Sequence, residues 1–168
     1  MMKNTFWTLF LLFAVSVSAQ AQRIAIVDVE KVLESMDSYK NAQADLDKAS
    51  AQWQQEITQK YDEIKGLYSK YQAEMVLLSD EAKRQREDEI MSKENAVREL
   101  QKKRFGPEGD LFKKRQELVQ PIQEQVYRAI QRLMEEKGFE IILDKASDGV
   151  LASDPKLDRT SEVVSKLR

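Results

Sequence analysis

From Trp53 onward, apolar and aromatic positions recur at Ile57, Tyr61, Ile64, Tyr68, Tyr71, Met75 and Leu78, at spacings of 4, 4, 3, 4, 3, 4 and 3. This heptad-like rhythm is that of a helix packed along its length against a partner. Between Tyr39 and Leu78 there is no Pro and one Gly, Gly66, so the stretch predicts a single helix roughly 60 Å long at 1.5 Å per residue. Ser79 and Asp80 break the rhythm and offer a cap for a second helix from about Glu81. That helix carries Ile90, Val97 and Leu100, is interrupted at Phe105-Gly106-Pro107-Glu108-Gly109-Asp110, and resumes with Leu118, Ile122, Val126, Ala129 and Leu133. Pro107 lacks an N–H and its ring clashes with the preceding turn, so a straight helix through it would lose about 3 kcal/mol. A kink or short loop is predicted at 105–110, only a bend at the isolated Pro121, and a stop at Gly138.

At the two ends the pattern turns β-branched. Arg23-Ile24-Ala25-Ile26-Val27-Asp28-Val29 predicts a buried strand and Glu30 to Met36 a short helix. Phe139 to Asp144 predicts a second strand and Gly149 to Ser153 a third, joined by Lys145 to Asp148. Asp154-Pro155 makes a turn, and Thr160 caps a last helix, Ser161 to Leu167. The predicted class is α+β: a small β-sheet body carrying a long antiparallel α-helical coiled-coil hairpin. Residues 22–36 and 139–168 form the body, and 37–138 the arm, with its tip near 79–82 and a break at 105–110.

The first residues stand apart. Lys3 precedes an apolar run from Phe6 to Val15, well short of the ~20 residues a membrane span needs. Ala19-Gln20-Ala21 supplies the small-x-small pattern of a signal-peptidase site. Residues 1–21 are expected to be a signal peptide cut after Ala21, the alternative being an uncleaved anchor. A lipidated start is excluded because the chain has no Cys. In a Gram-negative cell, export would place the mature protein in the periplasm.

Composition narrows the chemistry. With no Cys and no His, there is no thiol nucleophile, no disulfide, no zinc-thiolate site and no histidine base. Five Gly and three Pro disfavour a turn-rich β-barrel, and 27 basic against 29 acidic residues provide no net positive charge for nucleic acid. Asp28 and Asp144 lie at strand ends and could form a carboxylate pair, but capping suits them better, because no nucleophile, metal-ligand cluster or phosphate loop accompanies them. No enzyme, cofactor or metal is expected. Residues 37–82 hold 5 basic and 9 acidic side chains, whereas 83–104 hold 8 and 5. Opposite net charge favours antiparallel pairing in register more than in energy, since an exposed pair contributes ~0–1 kcal/mol.

Three short strands and one small helix make a marginal core for a chain whose longest element stands outside it. Ile24, Ile26, Val27 and Val29, with Ile141, Ile142 and Leu143, are therefore expected to form the core of the head and to complete it against other subunits.

Taken together, Ile24-Ala25-Ile26-Val27-Asp28-Val29, the long charged hairpin, Ile141-Ile142-Leu143-Asp144-Lys145-Ala146 and Asp154-Pro155-Lys156-Leu157-Asp158-Arg159-Thr160 resemble the Skp/OmpH family of periplasmic chaperones. The resemblance implies a homotrimer shaped like a jellyfish, with a β-body and three helical tentacles around a cavity. It also implies ATP-independent holding of unfolded outer-membrane β-barrel proteins. The best-known members are strongly basic, whereas this chain carries −2, and its one dense basic run near the tip is Lys83-Arg84-Gln85-Arg86. No anionic-lipid or lipopolysaccharide site is therefore carried over. From the residues alone, a structural or adaptor coiled-coil protein of the envelope is the alternative.

Holding an unfolded chain requires exposed apolar surface that binds weakly at many points. Met75, Val76, Leu77 and Leu78 are four apolar residues in a row, which cannot all face one seam. They are the candidate client contacts, with packing against Ala82 and Ile90 as the competing arrangement. Trp53, Tyr61, Tyr68 and Tyr71, at heptad spacing, are assigned to the seam. Gly106, Pro107 and Gly109 form either a pivot of the arm or a static kink.

Overall fold

The computed structural model of the chain describes residues 23–168, so the expected leader at 1–21 lies outside the described residues. In chain order the elements are β1 (Ile24–Val27), α1 (Val29–Glu34), α2 (Asp37–Glu74), α3 (Asp80–Phe105), α4 (Asp110–Lys137), β2 (Ile141–Asp144), a 3-10 turn (Pro155–Leu157) and α5 (Thr160–Leu167). The molecule is mostly helical, with one small sheet.

β1 and β2 pair in parallel, Ile24 opposite Ile141 and Val27 opposite Asp144. Parallel strands cannot be joined by a tight turn. The crossover here is the whole helical excursion from 37 to 137, so both ends of the arm are anchored in one sheet. Val27 and Ile142 pack toward the helices in a core with Val32, Leu33, Ala42, Leu46, Val126, Leu133 and Val163. This core draws on the roots of α2 and α4 as well as on the chain ends.

The third strand expected at 149–153 does not form. Val150 N–H closes a turn on the Ser147 carbonyl, and Leu151 is 96% exposed. The second edge of β1 is taken instead by the segment after the Asp154 turn: Ile26 bridges to Asp158, and Arg159 N–H donates to the Ile26 carbonyl at 2.8 Å. With that edge occupied, the short apolar run beginning at Gly149 does not pair with β1.

Helix boundaries follow local chemistry. Asp28 caps α1, its carboxylate accepting from Lys31 N–H at 3.0 Å, and Ser79 caps α3 by accepting from Ala82 N–H. Gly138 ends α4 in the left-handed conformation at φ 66°, which a side chain would strain. α4 continues through Pro121 without a break. α2 ends at Glu74, earlier than predicted, because the chain needs Met75 to Ser79 to reverse direction into α3.

A second, thinner core holds the outer arm: Ile57 and Ile64 of α2 against Ile90 and Val97 of α3, flanked by Leu67, Tyr71, Leu100 and Phe105. Pairing is antiparallel in sense, Trp53 meeting Phe105, Tyr68 meeting Glu94 and Tyr71 meeting Glu87. The opposite net charges of the two limbs give one ion pair between α2 and α3, Glu56 with Arg104. The other ion pairs within these two helices join residues three or four apart in one helix.

Because the two cores are separate, their truncations separate too. Leu133→Ala, at a fully buried site, is expected to cost about 2–5 kcal/mol of global stability in urea titration. Ile90→Ala is expected to accelerate hydrogen exchange in the outer halves of α2 and α3 while amides of β1, β2 and α5 keep their protection.

Candidate functional site

The arm ends in a turn built almost entirely of apolar residues. Val76 and Leu77 are 86% and 87% exposed, Met75 is about half as exposed, and Leu78 is partly buried. Packing of all four against α3 is thus not what the chain adopts: the two central residues point away from Ala82 and Ile90. The aromatic stripe behaves differently. The Tyr68 hydroxyl donates to Glu94 at 3.1 Å and the Tyr71 hydroxyl to Glu87, and each neighbouring carboxylate pushes its phenol pKa up. Trp53 lies edge-on to Phe105, with centroids 6.3 Å apart. Three of the four aromatics therefore tie α2 to α3, and Tyr61 stands half-exposed beside them.

The break at 106–109 is crowded. Gly106 and Gly109 have φ of −66° and −71°, ordinary for any residue, so backbone freedom is not why glycine sits there. The reason is contact: a Cβ on Gly106 would lie 2.3 Å from the Lys102 carbonyl oxygen, and one on Gly109 2.7 Å from that of Lys103. Across this level reaches Arg104. Its guanidinium donates to Asp110 at 2.6 Å and to Glu56 at 3.3 Å, and lies 5.0 Å over the Trp53 ring. Asp110 above all, with Glu56, raises the Arg104 pKa against the opposing effect of burial. Beside it Leu46, Phe105, Pro107, Leu111 and Phe112 line a groove of about 350 Å³.

In the head, the sheet has one face on the helices and one without them. On the latter, Ile26 is covered, while Ile141 and Leu143 of β2 are 43% and 41% exposed, and Ile24 is partly buried. Val29 packs against the core from the start of α1. The two strand-end carboxylates are engaged by backbone: Asp28 with Lys31 N–H, and Asp144 with Val29 and Ala146 N–H at 3.3 and 3.2 Å. Asp158 accepts from Thr160 N–H at 2.9 Å and Lys145 Nζ at 3.2 Å, while Asp28 N–H donates to the Thr160 hydroxyl oxygen. This network fastens α5 to β1. Among the described residues no group of three or more acidic side chains is placed to hold a metal ion, and no helix is long and apolar enough to cross a membrane.

Residues 23–167 match the OmpH family, described as outer membrane protein (OmpH-like). The chain belongs to this family. The OmpH-like chain also shares its fold with a crystal structure of a proposed outer membrane chaperone (OmpH-like) from Caulobacter crescentus, at a TM-score of 0.71 and 18% identity, over 89% of this chain and 86% of that one. No curated protein matches the sequence.

Two features of this OmpH-like chain escape a reading of the sequence. Arg104 looks like the end of the solvated run Lys102-Lys103-Arg104, and only the pairing register sets it opposite Glu56 and Trp53. Asp158 looks like a turn residue, although Asp158-Arg159-Thr160 does carry a capping pattern. The Thr160 hydroxyl and N–H, then Lys145, hold the Asp158 carboxyl below the ordinary carboxylate range. A lowered folded pKa means that the unfolded chain binds the proton more readily, so stability rises with pH across that window. The Asp158 contribution is therefore present above an unfolded value of about 3.9 and is lost as pH falls through the lower folded value. In urea titrations across this range, Asp158→Asn is expected to be less stable than wild type near neutrality and to show a shallower decline toward acid.

Proposed function

We propose that this chain is an ATP-independent holdase of the periplasm, which keeps unfolded outer-membrane β-barrel proteins from aggregating in a cavity between helical arms. The observation that carries the reading is the tip: two large apolar residues more than four-fifths exposed at the end of a long charged arm. Single exposed apolar residues are ordinary, but a solvent-facing Val-Leu pair at the most protruding point of a molecule marks a contact surface. The OmpH-like family and the outer membrane chaperone named for the structural neighbour support the same direction.

In this reading residues 1–21 are a signal peptide removed after Ala21, 22–36 and 139–168 are the head, and 37–138 form an antiparallel coiled-coil tentacle. The working particle is a homotrimer in which the half-exposed Ile141 and Leu143 meet other copies. A two-stranded sheet is too small to be stable with one apolar face in water, and subunit contact supplies the missing cover. Weak contacts from several mobile arms add up to useful affinity without any nucleotide-driven step. Client contact falls to Met75, Val76, Leu77 and Leu78.

Light scattering of a urea-unfolded outer-membrane β-barrel, diluted with and without equimolar trimer, tests the function directly. Aggregation is expected to be suppressed, and an unchanged scattering trace would exclude the holdase. Val76→Ser with Leu77→Ser is expected to raise the amount of protein needed for half-suppression several-fold, with thermal unfolding unchanged because both sites are exposed. Capture of one stoichiometric folded partner, with no effect on unfolded clients, would instead identify an adaptor.

Native mass spectrometry is expected to return three copies per particle. Leu143→Lys, which sets a charge on the uncovered sheet face, is expected to shift the mass to monomer. A monomeric wild type, or a trimeric Leu143→Lys, would overturn that arrangement.

A further inference from the structure

The outgoing limb of the arm is the single helix α2, which runs unbroken past the level where the returning limb is divided into α3 and α4. Bending the arm at this level must change the gap between Phe105 and Asp110 while α2 flexes alongside. Little apolar packing spans the gap. The outer core ends at Phe105, and the inner core begins again at Leu111. Besides the backbone bond from Gly109 N–H to the Gly106 carbonyl at 2.9 Å, the side chain that ties its two sides is Arg104, from the last turn of α3, bonded to Asp110 at the first residue of α4 and to Glu56 on α2.

We propose that Arg104 is a latch that holds the arm in the bend seen here, and that the outer arm swings when the latch opens. The two directions of motion are opposed by different forces. Closing the gap presses Gly106 and Gly109 onto the carbonyls of Lys102, Lys103 and Arg104, which already leave no room for a Cβ. The glycines are thus a stop, and neither a free pivot nor a passive kink describes the break. Opening the gap stretches the Arg104–Asp110 and Arg104–Glu56 pairs. These are part-buried ion pairs, which salt weakens less than exposed ones, whereas it does not weaken the apolar cores on either side at all. The arm can therefore yield at this one level while both cores stay packed. The Arg104 Nε, buried without a hydrogen-bond partner, makes the latched state less favourable than a fully satisfied guanidinium would be.

The chain has no Cys, so pairs of spin labels can be introduced without background. One pair, Lys156→Cys with Glu81→Cys, reports head to tip; a second, Lys156→Cys with Lys48→Cys, reports head to the arm below the break. Labelled chains are assembled with a large excess of unlabelled chain, so that distances within one subunit dominate. Arg104→Met keeps the apolar stem over Trp53 but removes both ionic ties. At low salt the head-to-tip distribution is expected to be narrow in the wild type and to gain a second maximum in Arg104→Met. Wild type in about 1 M salt is expected to move only part of the way toward the variant, because the pairs are part-buried. The lower pair is expected to stay the same throughout. An unchanged head-to-tip distribution in Arg104→Met, or equal broadening of both pairs, would overturn the latch.

Discussion

The parallel pairing of Ile24–Val27 with Ile141–Asp144 is the constraint on which the rest of the molecule depends. Antiparallel strands could have been joined by a short turn, and the helices would then have had to find another anchor. Parallel strands force a crossover, and here the crossover is the arm. Its two roots are held side by side, so α2 and α4 begin and end against the same core, and Ala42 and Leu46 meet Val126 and Leu133 there. The same strand β1 receives the segment around Asp158 on its other edge, which positions α5 and closes the core with Val163. One four-residue strand thus organises both ends of the described residues and the base of the hairpin.

Away from that base the structure becomes thinner. The outer seam is a single file of buried residues, Ile57 and Ile64 against Ile90 and Val97, flanked by aromatic side chains whose hydroxyls reach carboxylates on the facing helix. Such a seam stabilises a hairpin without making it rigid. It also leaves most of the surface charged, which keeps a long arm soluble even though its end presents Val76 and Leu77 to water. Attachment is strong at the root, and packing beyond it is weaker and distributed along the seam.

The break shows how polar and apolar forces divide the work. Apolar packing is non-directional and hard to release locally, whereas a guanidinium between two carboxylates is directional and responds to its surroundings. The arm places the first kind on either side of the break and the second kind across it. Glycine is needed at 106 and 109 because carbonyl oxygens of the preceding turn come too close for any side chain.

The periodic positions of the sequence marked the long helices and their caps at Ser79 and Gly138, because helix geometry converts local spacing directly into a buried face; the reversal, expected near 79–82, begins earlier, at Met75. The capping role of Asp28 was legible for the same reason, since Lys31 N–H three residues on is a local partner, whereas Asp144 accepts both from the nearby Ala146 N–H and from Val29 N–H, which only the fold brings to it. The third strand does not form, because an apolar run says nothing about whether a partner edge lies within reach: β1 gives its second edge to Asp158, and Val150 turns back onto Ser147. The outward aim of Val76 and Leu77 was only half visible, since four apolar residues in a row forbid a common seam without saying which of them leave it. Arg104 was invisible, because its partners Glu56 and Asp110 lie on two different helices and meet only through the register of the hairpin. By itself the sequence determined the long helices and the caps that bound them; the tertiary structure decided which strands form and which edges, faces and charges meet, because those depend on contacts between residues far apart in the chain.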